Sequence, residues 1–233
     1  VFDRRKVAFG GLAGGVVLPP RRVKQNGKWT YEPAPQLWRT PGLCGFQAGW
    51  TRFMLCTVHI TWGGSERAPA TRVAEIQAIA DYLADLSEQD HAWAKNIILL
   101  GDFNIFNVQD ETFRALQAAG FDIPEALQTK PSNAKKTRHF DQIAFKERKD
   151  ALEPTGNAGV FDYYQSVFRD DDEAVYADLM GAAYRQTSKG AERSEAQRRT
   201  YYRTKWRTFQ MSDHLPMWIE LRVDHSDAFL AGL

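Results

Sequence analysis

One apolar run constrains the fold more than any other feature of the sequence. Residues 96–100 read Asn-Ile-Ile-Leu-Leu, and Gly101, Asp102 and Asn104 follow closely. A continuous apolar run of this length, bounded by glycine, is typical of a central strand that is covered on both faces. Polar side chains at the end of such a strand are costly unless they are bonded or used. The run therefore predicts a buried sheet that holds Asp102 and Asn104 at one edge.

Alternating and helical patterns divide the rest of the chain into strands and single helices. Strands are predicted over 7–9, 16–18, 45–50, 53–60, 139–145 and 217–223, with an antiparallel hairpin formed by the third and fourth. Helices are predicted over 72–86 with Thr71 as a candidate cap, over 111–120 with Asp110 as cap, and around 173–183 with an inward stripe of Val175, Tyr176, Leu179 and Met180. The polar segment 21–35 is predicted to be a loop, and 186–204 a mobile insertion. Strands dominate, which predicts one α+β domain over 1–233, a two-layer β-sandwich flanked by helices.

Charge and cysteine content narrow the functional classes. The 233 residues contain 30 Lys and Arg against 29 Asp and Glu, a net charge of +1, so any nucleic-acid contact must use a local basic patch. No apolar run approaches the ~18 residues that span a bilayer. Cys44 and Cys56 sit in apolar surroundings without metal-ligand spacing. This favours two reduced cysteines in a cytoplasmic protein and gives no support to a zinc site.

Four short segments place acids, amides or imidazoles at the ends of apolar strands. They are 57–60, 100–104, 140–143 and 212–216, and they contain His59, Asp102, Asn104, Asp141, Asp213 and His214. Each has an ordinary structural explanation when taken singly. An Asp after a Gly is often a turn former, and a lone histidine is often a satisfied core residue. Asp141 could pair with Arg138, and Asp213-His214 could be a surface turn.

Taken together, the four segments resemble the endonuclease/exonuclease/phosphatase family, which includes apurinic endonucleases and pancreatic deoxyribonuclease. The Gly-Asp-Phe-Asn sequence at 101–104 and the Ser-Asp-His sequence at 212–214 carry most of this resemblance, which extends over essentially the whole chain. The stretch 206–221 resembles a bacterial branch without an assigned physiological substrate. The resemblance implies a deoxyribonuclease-like four-layer fold and Mg²⁺-dependent hydrolysis of phosphodiester bonds, with Mn²⁺ as a second candidate ion.

The resemblance also implies a role for each matching residue. Asp102 would orient or deprotonate the attacking water, and Asn104 would hold that water and the transition-state oxygens. His214 would donate to non-bridging phosphate oxygens, Asp141 would accept from His214, and His59 would act near the leaving group. Asp102, Asn104 and Asp213 would contact the metal, directly or through water. This set agrees with what phosphodiester hydrolysis needs, because Mg²⁺ prefers oxygen ligands and a His–Asp pair supplies a cation.

Two features that the family supplies are not found before Asp102. They are an early Asn and a metal-binding Glu after an apolar strand. In addition, residues 1–7 look like a strand whose first residues are not in the sequence. The resemblance therefore implies that the N-terminal part of the fold is missing from this chain. Losing one carboxylate ligand should weaken metal binding.

Substrate preference is indicated by cations interleaved with aromatic residues. Arg198, Arg199, Arg203, Lys205 and Arg207 alternate with Tyr201, Tyr202 and Trp206 just before the Ser-Asp-His sequence. This favours a nucleic-acid strand as partner, with Arg39, Lys205 and Arg207 as candidate substrate-binding residues and the run 135–138 as a weaker one. The alternative is a solvated loop with core aromatics. A hydrolase of small phosphoesters, phosphatase or phospholipase-like, and a non-catalytic binding module also remain open. The sequence does not indicate an oligomeric state.

Overall fold

The apolar run at 96–100 lies inside a five-stranded sheet in the computed structural model, which describes residues 1–66, 68–147, 151–223 and 230–231. The strand order is β1-β4-β5-β6-β7, and β6 pairs in parallel with β5 and antiparallel with β7. The strands are β1 Val7–Gly15, β2 Arg21–Gln25, β3 Lys28–Glu32, β4 Gly42–Ala48, β5 Thr51–His59, β6 Asn96–Asp102, β7 Asp141–Lys146, β8 Glu153–Val160 and β9 Met217–Arg222. The helices are α1 Ala70–Glu88, α2 Glu111–Ala118, α3 Glu125–Gln128, α4 Glu173–Met180, α5 Ala182–Arg185, α6 Glu195–Tyr201 and α7 Arg207–Gln210.

Strand β6 does not alternate between apolar and polar residues because both of its faces are buried. Ile97 and Leu99 are fully buried in a core that includes Ile76, Ile79 and Leu83 of α1. Ile98 faces the other way, into a cluster that includes side chains of β5, β7 and β9. Since β9 pairs with β8 in a second, two-stranded sheet, the described residues form a helix layer, a central sheet and a second β layer. The predicted α+β sandwich flanked by helices is confirmed. No helix in the described ranges has the length and apolarity needed to cross a bilayer.

The predicted β4–β5 hairpin, α1, β6, α2, β7 and β9 are all present, with shifted ends. Thr71 is not the cap of α1, because the helix begins at Ala70 after Pro69. Asp110 occupies the cap position of α2, although its carboxylate accepts the Asn107 N–H rather than a helix N–H. The strand β8 was not predicted from its sequence.

The first forty residues were predicted wrongly in two places. Residues 7–9 and 16–18 are not two strands around a turn, because 7–15 form one strand, β1, whose register against β4 shifts between Phe9 and Ala13. The predicted loop at 21–35 contains the hairpin of β2 and β3. Its turn residues Asn26 and Gly27 both have positive φ, 48° and 80°, which is the requirement of a tight two-residue hairpin turn.

The helical region before β9 also differs from prediction. The third helix ends at Met180, and Val175 and Leu179, predicted to face inward, are each 74% exposed. Within 186–204 the structure forms α6, which begins with a capping box of Ser194 and Gln197. A π-helical turn, Tyr202–Trp206, follows. That 186–204 is mobile stays a prediction.

Candidate active site

Three of the predicted residues meet because of strand register. His59 ends β5, Asp102 ends β6 and Asp141 begins β7, and the register pairs His59 with Asp102 and Asp102 with Asp141. The three residues therefore stand in a row across one end of the sheet. The Nε2 atom of His59 lies 3.4 Å from Oδ2 of Asp102.

His214 reaches the same row from a separate segment. The Leu215 N–H donates to the Ser132 carbonyl and the Ala134 N–H donates to the Asp213 carbonyl, both at 2.7 Å. The Tyr163 hydroxyl lies 2.8 Å from the Ser212 carbonyl oxygen and 2.9 Å from the His214 carbonyl oxygen, so its single proton is shared between the two. These bonds fix the backbone on both sides of the His214 side chain. They place its ring beside Asp141.

The His214–Asp141 contact is the strongest electrostatic feature of the site. His214 Nδ1 lies 2.8 Å from Oδ2 of Asp141, and His214 Nε2 lies 3.9 Å from Oδ2 of Asp102. The hydrogen bond with Asp141 raises the pKa of His214 to about 9, against an opposing effect of burial. The imidazole is therefore a cation at neutral pH, with Nε2–H as a donor directed away from Asp141.

Asp102 is a carboxylate held in a poorly solvated place. Its side chain is 17% exposed, and burial raises the pKa of Asp102, against the lowering effects of the Asn104 N–H and of His214. Gly101, just before it, has φ of 137°, and a Cβ there would lie 2.1 Å from the Val58 carbonyl oxygen. Only glycine allows β5 and β6 to approach this closely.

Asn104 is fixed by three hydrogen bonds and a left-handed backbone with φ of 53°. Its N–H donates to Asp102 Oδ1 at 2.9 Å, and its Nδ2 donates to the Ile60 carbonyl at 2.8 Å. Its own carbonyl accepts from Arg72 at 2.9 Å. Asparagine tolerates this conformation better than most residues, and the bonds aim the residue toward Asp102.

Arg72 stabilises the loops that carry the site, and the sequence did not indicate this role. Its fully buried guanidinium donates to the carbonyls of Thr61, Trp62 and Gly64 as well as Asn104. These carbonyls belong to the loops that follow β5 and β6. One signal was available, since Arg72 precedes Ile76 by four residues and so lies on the buried stripe of α1.

We expect Arg72→Met to lower the free energy of unfolding by about 3 kcal/mol or more, because several buried carbonyls lose their donor at ~1–3 kcal/mol each. Chemical denaturation of the two proteins measures this difference. Arg114→Met is the matched control, since Arg114 is exposed on α2 and the same substitution there should change stability by only about 0.5 kcal/mol. Equal effects at the two positions would contradict the role of Arg72.

Asp213 and Lys205 lie on an open cleft beside His214. The cleft has a volume of about 770 Å³, and Asn104, Lys135 and Arg138 also line it. Lys135, Arg138 and Lys205 are exposed and form no ion pair within the described parts of the chain. Arg39 lies at the same edge of the sheet, where its guanidinium donates to the His59 carbonyl at 3.4 Å.

Arg207 does not fit its predicted role in substrate binding. Its side chain is 8% exposed, pairs with Asp170 at 2.7 Å and donates to the Phe168 carbonyl. Nearby, Tyr202 is fully buried and stacks on Trp206, with ring centroids 6.0 Å apart. For Tyr202 and Trp206 the structure therefore agrees with the alternative interpretation, in which the aromatic rings pack inside the protein. Arg207 is a structural residue that stabilises the π-helical turn.

A cation could bind at this end of the sheet. One ligand atom each from Asp102, Asp141 and His214 lies within 4.8 Å of the others. His214 is a poor ligand in this arrangement, because its Nδ1 is bonded to Asp141 and the ring is protonated. The carboxylate of Asp102, which burial leaves short of solvation, is the better anchor for a hard cation.

Comparisons with known proteins identify the fold. No family model and no curated protein matches the sequence. A functionally unknown conserved protein from Enterococcus faecalis V583 aligns with a TM-score of 0.52 at 14% identity, over 96% of this chain and 69% of that one. D. rerio TDP2 complexed with a single strand DNA product aligns with a TM-score of 0.50 at 15% identity, over 94% of this chain and 70% of that one.

A humanized form of D. rerio TDP2 gives a similar alignment, with a TM-score of 0.50 at 13% identity over 94% of this chain. The chain therefore shares its fold with these solved structures, and that fold is the deoxyribonuclease-like one. The resemblance predicted from the Gly-Asp-Phe-Asn and Ser-Asp-His sequences is thereby confirmed for the fold. Because these identities are low, the likeness extends to architecture and leaves substrate and metal to the chemistry of the site.

Proposed function

We propose that this protein hydrolyses phosphodiester bonds in nucleic acid with the help of a divalent cation, Mg²⁺ or alternatively Mn²⁺. The observation that supports this best is the meeting of His59, Asp102, Asp141 and His214 at one end of the sheet. Such a group combines a buried carboxylate with an imidazolium that can donate to phosphate oxygens. We further propose a cytoplasmic location, in which Cys44 and Cys56 stay reduced, as the free thiols of the structure are.

The donor set fits a hard cation. Asp102 offers the carboxylate oxygens that Mg²⁺ prefers, and a cation would offset its poor solvation. Asn104 and Asp213, which line the cleft together with His214, are proposed to supply further oxygen ligands. When bound, the ion would neutralise phosphate charge and help to activate water.

The remaining catalytic roles belong to residues of this chain. Asp102 orients the attacking water or takes its proton, and Asn104 holds that water in place. His214 donates from Nε2 to a non-bridging oxygen, and Asp141 keeps its ring charged and oriented. His59, which is 53% exposed at the mouth of the site, acts near the leaving group.

The shape and charge of the cleft support a polymeric substrate. The cleft is open to solvent, and among the described residues Lys135, Arg138 and Lys205 line it together with His214 and have no carboxylate partner. Exposed cations that have no carboxylate partner attract a phosphate backbone. A small phosphoester would use a closed pocket better than this groove.

The full-length protein, including any residues that precede Val1, should be tested against three substrates with Mg²⁺. They are a labelled oligonucleotide, bis(p-nitrophenyl) phosphate and p-nitrophenyl phosphate. We expect the highest kcat/KM on the oligonucleotide, loss of all turnover with a chelator, and recovery with Mg²⁺ or Mn²⁺. Preference for the monoester would favour a phosphatase. Turnover that survives chelation would contradict the metal-dependent mechanism, and no turnover at all would favour a non-catalytic module.

A further inference from the structure

The hairpin of β2 and β3 presents two faces of different character. Arg22 pairs with Tyr31 and Lys24 pairs with Trp29 across the two strands. Since side chains alternate along a strand, these four residues share one face, which we name the ribbon face. The opposite face carries Val23 and Thr30, which are half-buried. The ribbon face therefore points away from the body of the protein.

The ribbon face combines exposed aromatic rings with exposed cations. Trp29 is 59% exposed and Tyr31 is 70% exposed. The guanidinium of Arg22 lies 4.4 Å from the Trp29 ring centroid. Neither Arg22 nor Lys24 forms an ion pair with any described residue. Exposed aromatic rings next to cations that have no carboxylate partner match a ligand that is both flat and anionic.

We propose that the ribbon face binds a single-stranded segment of nucleic acid, an inference that rests on the proposed function of the site. Arg22 and Lys24 would contact phosphates, and Trp29 and Tyr31 would stack with bases. The two rings are two residues apart on β3, about 7 Å along the strand. Inside a duplex both faces of each base are covered by neighbouring bases, so bases that stack on the two rings must come from a single strand.

The base of the hairpin is connected to the catalytic end of the sheet. Gln36 closes it by donating to the Leu18 and Ala34 carbonyls and accepting from the Leu18 N–H. Beyond Gln36, the Glu75 carboxylate accepts from the N–H groups of Trp38 and Thr61, both at 2.8 Å. Thr61 lies two residues after His59, the last residue of β5, so these bonds connect the segment that follows the hairpin with the end of β5.

The composition of the hairpin favours nucleic acid over a membrane surface. Residues 21–32 contain four cations, Arg21, Arg22, Lys24 and Lys28, and a single acid, Glu32. The tip, 25–28, is Gln-Asn-Gly-Lys. It offers no aliphatic side chain to insert between lipid chains.

Binding of a labelled oligothymidylate to the full-length protein, followed by fluorescence anisotropy in a chelating buffer, tests this inference. Trp29→Ala/Tyr31→Ala should weaken binding by about tenfold or more. Arg22→Ala/Lys24→Ala should lower the slope of log affinity against log salt by about 1.4, the value for two phosphates of a single strand. Arg21→Ala/Lys28→Ala is the matched control, because it removes the same charge without touching the ribbon face, and it should change the slope much less.

Equal losses in the two charge variants, or affinity unchanged in all three variants, would overturn the inference. Loss of binding to phosphatidylserine vesicles without loss of oligothymidylate binding would also overturn it and assign the hairpin to membranes. Hydrolysis of bis(p-nitrophenyl) phosphate should stay unchanged in every variant. Failure of the proposed function is separate, because it would appear as an unmodified protein that binds oligothymidylate and does not cut it.

Discussion

Asp102→Asn is expected to lower kcat/KM on the preferred phosphodiester by about 10³-fold or more, a value in the range of a lost general base. Asp102 lies at the centre of the row, 3.4 Å from His59 Nε2 and 3.9 Å from His214 Nε2. Asparagine keeps its size and removes both its negative charge and its basicity. A steady-state assay with saturating Mg²⁺ measures the loss.

The stability of the same variant separates chemistry from folding. Because burial raises the pKa of Asp102, the ionised carboxylate is unfavourable in the folded state. Asp102→Asn should therefore leave the free energy of unfolding unchanged or raise it, as at other sites where function costs stability. Asp122→Asn is the matched control, since Asp122 is exposed and pairs with Phe145 near the far end of β7. An inactive control, or an active Asp102→Asn, would contradict the assignment.

His214→Gln is expected to lower kcat by about 10²–10³-fold, the usual cost of losing one donor to a developing negative charge. Glutamine can still donate a hydrogen bond but carries no charge, whereas the hydrogen bond with Asp141 raises the pKa of His214 to about 9 and keeps it cationic. The effect should fall mainly on kcat, because the donation strengthens as charge develops on the phosphate oxygens.

Two further variants sharpen this second expectation. Asp141→Asn should lose less activity than His214→Gln, since Asp141 acts through the imidazole and does not itself touch the phosphate. His91→Gln makes the same substitution at an exposed histidine, five residues before β6 begins and so away from the catalytic end. It should have wild-type kcat. A kcat for His214→Gln within a few-fold of the wild-type value would remove His214 from the mechanism.

The central strand and the motif residues could be predicted because their signals are local. The apolar run at 96–100 forms β6, and Asp102 and Asn104 follow it as expected. The row itself could not be derived from periodicity, since it depends on the parallel pairing of β5 with β6 and the antiparallel pairing of β6 with β7. Register between strands is set by tertiary packing.

The errors have the same physical origin. Arg207 resembles a surface cation in sequence, and its partner Asp170 lies 37 residues away. Val175 and Leu179 have helical spacing but find no core to enter. The hairpin at 21–32 was hidden by its polar composition, although Asn26-Gly27 is a strong turn signal. Composition favoured a loop, while turn chemistry decided the structure.

Kinetics of the double variant Asp102→Asn/His214→Gln test most directly whether these side chains converge on one phosphate. Residues that act as a unit on one transition state show losses that are far from additive. We expect kcat/KM of the double variant to fall little below that of the worse single variant. If the fold-loss in kcat/KM of the double variant equals the product of the losses of the two single variants, Asp102 and His214 act independently. That result would contradict a shared site.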